Sequence, residues 1–231
     1  MERNQLIGIV AGLILLVGVV LGIAFFTTQG PTAETLPQQM AEGLADLKTV
    51  QGRLTLGQGE QALEYELWVE RPRRLRAEAE LEGLERKAVF ILMFNETEAW
   101  AYDPVLDVAT VADRTKPLPA DGLQTGTSVL ETMPEDVLAA LRAGDVQILG
   151  DEQVAAREAL RVQVLLPAEQ NPFDGGRLDV WLDKSTYYPL AIESDAGFRM
   201  RFDFIQFNAA IDPLTFVFFP PPGATVRRIG E

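Results

Sequence analysis

The chain contains no cysteine and no histidine. Without cysteine there is no disulfide framework, even in a compartment that would permit one, and no lipobox for attaching a lipid near the N-terminus. Without histidine the commonest general base and the commonest transition-metal ligand are both missing, so no metal and no cofactor is expected. Serine is scarce. Ser128, Ser185 and Ser194 are the full set, and none sits in a G-x-S-x-G context. Basic residues are also short: 20 Lys and Arg face 34 Asp and Glu, a formal charge of −14. A surface of that sign serves solubility first, and it argues against nucleic acid and against docking on anionic lipid headgroups. The carboxylates could in principle form an acid–base pair, which needs one raised pKa in an apolar setting. Here they alternate outward along strand-like segments, as a solvated face does, so no enzyme is expected.

What the chain has is one long apolar run. Residues 6–26 read LIGIVAGLILLVGVVLGIAFF, without a charge or a hydrogen-bonding side chain. As a helix this run spans roughly 31 Å at ~1.5 Å per residue, against a hydrocarbon core of ~30 Å. Each Leu, Ile, Val or Phe favours insertion by ~0.3 to 0.6 kcal/mol at mid-membrane. Signal-peptide cores are shorter, ~7 to 15 residues, and end at a small-x-small cleavage site. Phe25, Phe26, Thr27, Thr28 and Gln29 offer none. The preferred reading is an uncleaved anchor, with a long signal peptide as the alternative. Arg3 precedes the run, and the next basic residue is Lys48. The positive-inside rule then puts the N-terminus in the cytoplasm and the rest in the periplasm or outside a single-pass cell membrane. Gly8-x-x-x-Gly12 and Gly18-x-x-x-Gly22 share one helix arc and could support a weak homodimer through the anchor. Glycines are also common in any membrane helix.

The organisation reads as stub and anchor (1–27), linker (28–35) and one domain (36–231). Leu36, Met40, Leu44 and Leu47 mark one helix face. From Val50 the period falls to two. Leu63, Tyr65, Leu67 and Val69 alternate with glutamates, and Leu75, Ala77, Ala79 and Leu81 with Arg76, Glu78 and Glu80. These are half-buried antiparallel strands. The segment 88–94 (AVFILMF) is apolar on both faces and reads as a central strand. Strands follow around 98–102 and 105–111, then a Pro- and Gly-rich loop over 116–127. A helix over 128–143 carries Val129, Met133, Val137 and Leu141 on one face. Five further strands follow up to residue 207, and 216–219 (FVFF) with three prolines closes the chain. The order predicts a mainly β (α+β) domain: one antiparallel sheet of about eleven strands, its apolar face partly covered by two helices. Small Ala77 and Ala79 beside rows of larger residues could enclose a cavity or fill an ordinary core.

Three stretches in order carry a resemblance: Leu67-Trp68-Val69-Glu70-Arg71-Pro72, then Ala99-Trp100-Ala101-Tyr102-Asp103-Pro104, then 208–226 (NAAIDPLTFVFFPPPGATV). Val180-Trp181-Leu182-Asp183-Lys184 and Tyr188-Pro189-Leu190 add to it. Over roughly residues 36–227 the chain resembles the LolA-like family of bacterial lipoprotein carriers, related to LolB receptors and to periplasmic sensors of the RseB kind. The resemblance implies an unclosed, strongly curved half-barrel whose hydrophobic concave face is lidded by helices and holds the acyl chains of lipids or acylated proteins. It implies a cavity drawn from Leu44, Leu67, Ala77, Ala79, Phe90, Leu92, Phe94, Trp100, Met133, Val137, Val180, Leu182, Phe202 and Phe204. It also implies that Arg71, of the R-P pair, hydrogen-bonds the lid and controls its opening. Two departures matter: the retained anchor, which a shuttling carrier lacks, and Leu75 where carriers have an aromatic. The expected function is a membrane-anchored lipid or lipoprotein carrier. The alternatives are a lipid-sensing regulatory domain acting on a membrane partner and a structural envelope module without a ligand.

Overall fold

The computed structural model of the protein describes residues 30–59, 61–81, 88–116 and 128–229. The proposed anchor and most of the 116–127 loop lie outside the described residues, as does the side chain of Phe90. Among the described residues no helix is long and apolar enough to cross a membrane.

Helix α1 (Leu36–Asp46) begins after Thr35, with a proline in its first turn. Proline fits there because the first helical N–H groups have no intrahelical acceptor in any case. Thr32 and Thr35 bind each other through side chain and backbone, closing the turn that leads in. Leu36, Met40 and Leu44 repeat every fourth residue, and all three are buried. Helix α2 (Ser128–Ala143) carries Pro134 inside its second turn, where proline cannot donate the usual bond to the Leu130 carbonyl, and ends at Gly144. A Cβ on Gly144 would lie 2.4 Å from Val164 Cγ1, so only glycine lets the helix end sit this close to the sheet. Leu130, Met133, Val137, Ala140 and Leu141 form its buried stripe. Each fully buried large apolar side chain contributes ~1.5 to 3 kcal/mol.

The strands are β1 (Thr49–Gln58), β2 (Gln61–Glu70), β3 (Arg74–Leu81), β4 (Ala88–Phe94), β5 (Glu98–Asp103), β6 (Val108–Asp113), β7 (Asp145–Val154), β8 (Arg157–Leu165), β9 (Arg177–Asp183), β10 (Pro189–Ser194), β11 (Phe198–Phe207) and β12 (Thr225–Ile229). They form one sheet in the order β12-β6-β5-β4-β3-β2-β1-β11-β10-β9-β8-β7. Its two outer strands, β7 and β12, are not paired with each other, so the sheet is unclosed. Both helices pack on one face, and their buried residues join one apolar cluster with the inward residues of the strands.

The strand count is one higher than expected. The addition is β12, whose pairing with β6 is parallel. It is reached by residues 208–224, which cross the face opposite the helices. The 3-10 turn Pro213–Phe216 is capped by Asp212, whose carboxylate accepts from Leu214 N at 2.9 Å. Arg76 on β3 donates to the Thr215 carbonyl at 3.0 Å. Phe218 lies 5.4 Å from the Trp100 ring and 6.0 Å from the Tyr102 ring. This strap explains why 88–94 is apolar on both faces: Leu92 faces the helices, while Met93 faces the other way and is still 1% exposed. The strand expected over 105–111 starts later, at Val108. Asp103 accepts from the backbone N–H of Val105 and Leu106 and makes those two residues a turn.

Candidate functional site: a cavity at the sheet mouth

The β1–β2 hairpin ends in Gly57, Gln58 and Gln61, and there the core opens. A cavity of about 710 Å³ is lined by Leu56, Ala62, Leu63 and Tyr65 of the hairpin, Phe198 of β11, Val129 of α2 and the loop residues Pro172 and Phe173. Gln58, Gln61 and Asp174 are its polar lining residues. The volume lies in the ~300 to 1,000 Å³ range of small-molecule sites, and the mainly apolar lining fits an apolar ligand. Leu56, Tyr65 and Phe173 also belong to the buried cluster, so the cavity opens directly from the core. Burial pushes the Tyr65 phenol pKa above its ordinary value.

Phe173 is held by a buried polar device. The Asn171 side chain donates to the carbonyls of Asp174 and Gly175 at 2.7 and 3.0 Å and accepts from Phe173 N at 3.0 Å. Three bonds satisfy the buried amide. They fix a loop whose Asp174 and Gly175 take positive φ, 60° and 81°. The loop presents Phe173 to Phe198 with ring centroids 5.0 Å apart. Sequence reasoning missed this wall. Its available signal was the turn chemistry of Asn171-Pro172-Phe173-Asp174-Gly175-Gly176.

At the other ends of β1, β2 and β6, arginines grip helix α2. Arg71, before the β2–β3 turn, donates to Glu135 at 2.7 Å. Its backbone N–H bonds the Lys48 carbonyl at 2.8 Å. Arg114, after β6, is hydrogen-bonded to Glu131 and to the Asn95 carbonyl, and its guanidinium lies 5.3 Å from the centre of the Phe94 ring. Glu131 and Glu135 are one helical turn apart, so two clasps hold the N-terminal half of α2. Arg71, the residue that the resemblance singles out, thus reaches helix α2 through Glu135. The contact from Arg114 is additional.

Eleven of the fourteen expected cavity residues come together. Leu44, Leu67, Ala77, Ala79, Leu92, Phe94, Met133, Val137, Val180, Leu182 and Phe202 all belong to the buried cluster. None of them lines the mouth cavity among the described residues. Two others face away. Trp100 lies under the strap on the opposite face, packed against Phe218, because its neighbours Ala99 and Ala101 take the inward positions. Phe204 is 48% exposed. The β1–β11 register shifts between Arg53, opposite Phe204, and Leu54, opposite Phe202. The extra residue is Asp203. Such a bulge reverses the in–out alternation beyond it, so Ile205 turns inward in place of Phe204. Phe90 is placed only by its backbone, opposite Ala79.

Comparison with solved structures gives the fold. An uncharacterized conserved protein from Thermus thermophilus matches 86% of this chain and 99% of its own, at TM-score 0.54 and 12% identity. The structure of the MucA/MucB complex from Pseudomonas aeruginosa contains a chain that matches 81% of this one, at TM-score 0.51 and 17% identity. The match spans about 61% of that chain's length. A weaker likeness, at TM-score 0.49 and 10% identity, is to LprF from Mycobacterium bovis, covering 80% of this chain and 97% of that one. No protein-family model and no curated protein matches the chain. The fold is therefore one shared with MucB and with the Thermus thermophilus protein.

Proposed function

We propose that the protein is a non-enzymatic, membrane-anchored extracytoplasmic binder that takes acyl chains of a lipid or an acylated protein into the mouth cavity. The observation that carries the reading is the 710 Å³ apolar opening in the mouth of a LolA-like sheet. The apolar run 6–26 supports attachment to a bacterial cell membrane, with the domain on the far side. A second reading, a sensor that passes a lipid signal to a membrane partner, draws on the likeness to MucB, which was solved in complex with MucA.

The test compares two tryptophan substitutions in the full chain. Ala62 is exposed and lines the cavity, whereas Ala79 is 0% exposed inside the core cluster. Ala62→Trp should lower the binding of a fluorescent acyl probe at least tenfold and leave the melting temperature within a few degrees. Ala79→Trp overpacks the core and should cost ~1 to 3 kcal/mol. In a domain of this size that is a fall of several degrees, at ~2 to 4 °C per kcal/mol. Wild-type protein that never binds the probe, and carries no lipid by mass spectrometry after gentle extraction, would remove the binding function.

A further inference from the structure

The mouth cavity also bears on the head of its ligand, an inference that rests on the binding reading above. Among the described residues its lining holds no lysine and no arginine, and Asp174 is its one carboxylate. The other polar side chains of the lining are the Gln58 and Gln61 amides. The arginine nearest in register is Arg199, the cross-strand partner of Gly57. Its neighbour Met200 is buried on the helix side and Phe198 lines the cavity, so Arg199 points to the opposite face, where it is exposed. Arg177, at the start of β9, is drawn to Asp179 at 3.2 Å on that same face.

An anionic head brought to this rim would shed water without gaining a cation, and it would meet the Asp174 carboxylate and the field of a chain with net charge −14. A hydroxyl, ester or amide head loses less. It finds in the two glutamine side chains both donors and acceptors that carry no charge. Gln58 and Gln61 are exposed at the hairpin tip, at the boundary between the apolar wall and water. That boundary is where the head of a ligand sits when its chain fills the cavity. We propose that the mouth cavity selects acyl ligands with an uncharged head and discriminates against fatty acids and other anionic amphiphiles of the same chain length.

The experiment uses the full chain in lipid-free amphipol and a matched pair of competitors, monopalmitoylglycerol and palmitate, displacing a neutral fluorescent acyl probe at neutral pH. The neutral competitor should displace the probe at least tenfold more strongly. Gln61→Lys and Asp174→Asn should each shift the ratio toward palmitate, the first by several-fold because it places a cation at the rim. Circular dichroism checks that both variants fold, and Gln58→Lys provides a second rim cation if one variant does not. Equal displacement by the two competitors, or a preference for palmitate in the wild type, overturns the selectivity and leaves the binding function standing. A ratio that none of the rim variants moves places the ligand elsewhere and overturns the assignment to this cavity. Failure of any acyl probe to bind overturns the function itself, and the selectivity with it.

Discussion

Asp183, 1% exposed at the end of β9, shows how a carboxylate is kept charged inside this fold. Burial opposes its ionisation. Hydrogen bonds from Arg157, Ser185 and Thr186 outweigh that and hold its pKa below the ordinary aspartate range. One carboxylate oxygen accepts from Arg157 Nε at 2.5 Å. The other accepts from the backbone N–H groups of Ser185 and Thr186 at 3.1 and 2.9 Å, pinning the β9–β10 turn. That turn touches helix α1, where a Cβ on Gly43 would lie 2.2 Å from the Thr186 carbonyl oxygen. A depressed folded-state pKa gives stability that is present above the unfolded value and is lost as pH falls through the folded one. Asp183→Asn should therefore cost ~1 to 3 kcal/mol at neutral pH, since it leaves Arg157 and the turn donors without their charged acceptor. The gap between variant and wild type should narrow as pH drops through ~4 and below, the ordinary aspartate range. Urea midpoints across that range measure it. A gap constant with pH would mean that the charge of Asp183 is not its source.

At the scale of elements, the two arginine clasps on helix α2 can be tested for a part in ligand release. Arg71 and Glu135 are partly exposed, at 24% and 52% of their side chains, and partly exposed ion pairs contribute only ~0.2 to 1 kcal/mol. Arg71→Leu and Arg114→Leu should thus leave the melting temperature nearly unchanged while speeding release of a bound acyl probe, by up to about fivefold for each ~1 kcal/mol removed from the closed arrangement. The double variant should exceed either single one. Stopped-flow release rates decide, and rates equal to wild type would make both pairs ornaments of the surface. The elements themselves were largely legible. Leu36, Met40 and Leu44 announce α1 by their spacing, and the span 128–143 coincides with α2. Period-two alternation gave the strands because one face is wet and the other is covered by helices. It failed where a tertiary device intervened. The bulge at Asp203 reversed Phe204, and no periodicity can show an extra residue in advance. Ala99 and Ala101 look like the weak face of their strand beside Trp100, yet they are the inward ones, because the helices crowd that side. Strand β12 is short and carries Arg227 and Arg228, so it has little apolar pattern, and its parallel partner β6 lies more than a hundred residues away. The mouth cavity was not legible because it is formed by a hairpin tip, a turn and a strand start, none of which repeats.

For the whole molecule, the apolar run 6–26 predicts that the mature chain keeps its N-terminus. N-terminal sequencing of membrane-extracted protein should return the first residues, and a chain starting between residues 27 and 34 would instead favour a released carrier. Under the proposed function a tether would limit where the domain works, and the sheet would set what it can hold. In a closed barrel the number of strands and their stagger fix the bore. Here β12 and β7 end the sheet without meeting. No ring of hydrogen bonds sets the girth, so a small change in twist spread over eleven strand pairings can widen or narrow the interior without breaking any one of them. Such a container has no single calibre. It should accept a graded series of chain lengths with affinities that change smoothly, where a closed barrel would show a sharp cut-off.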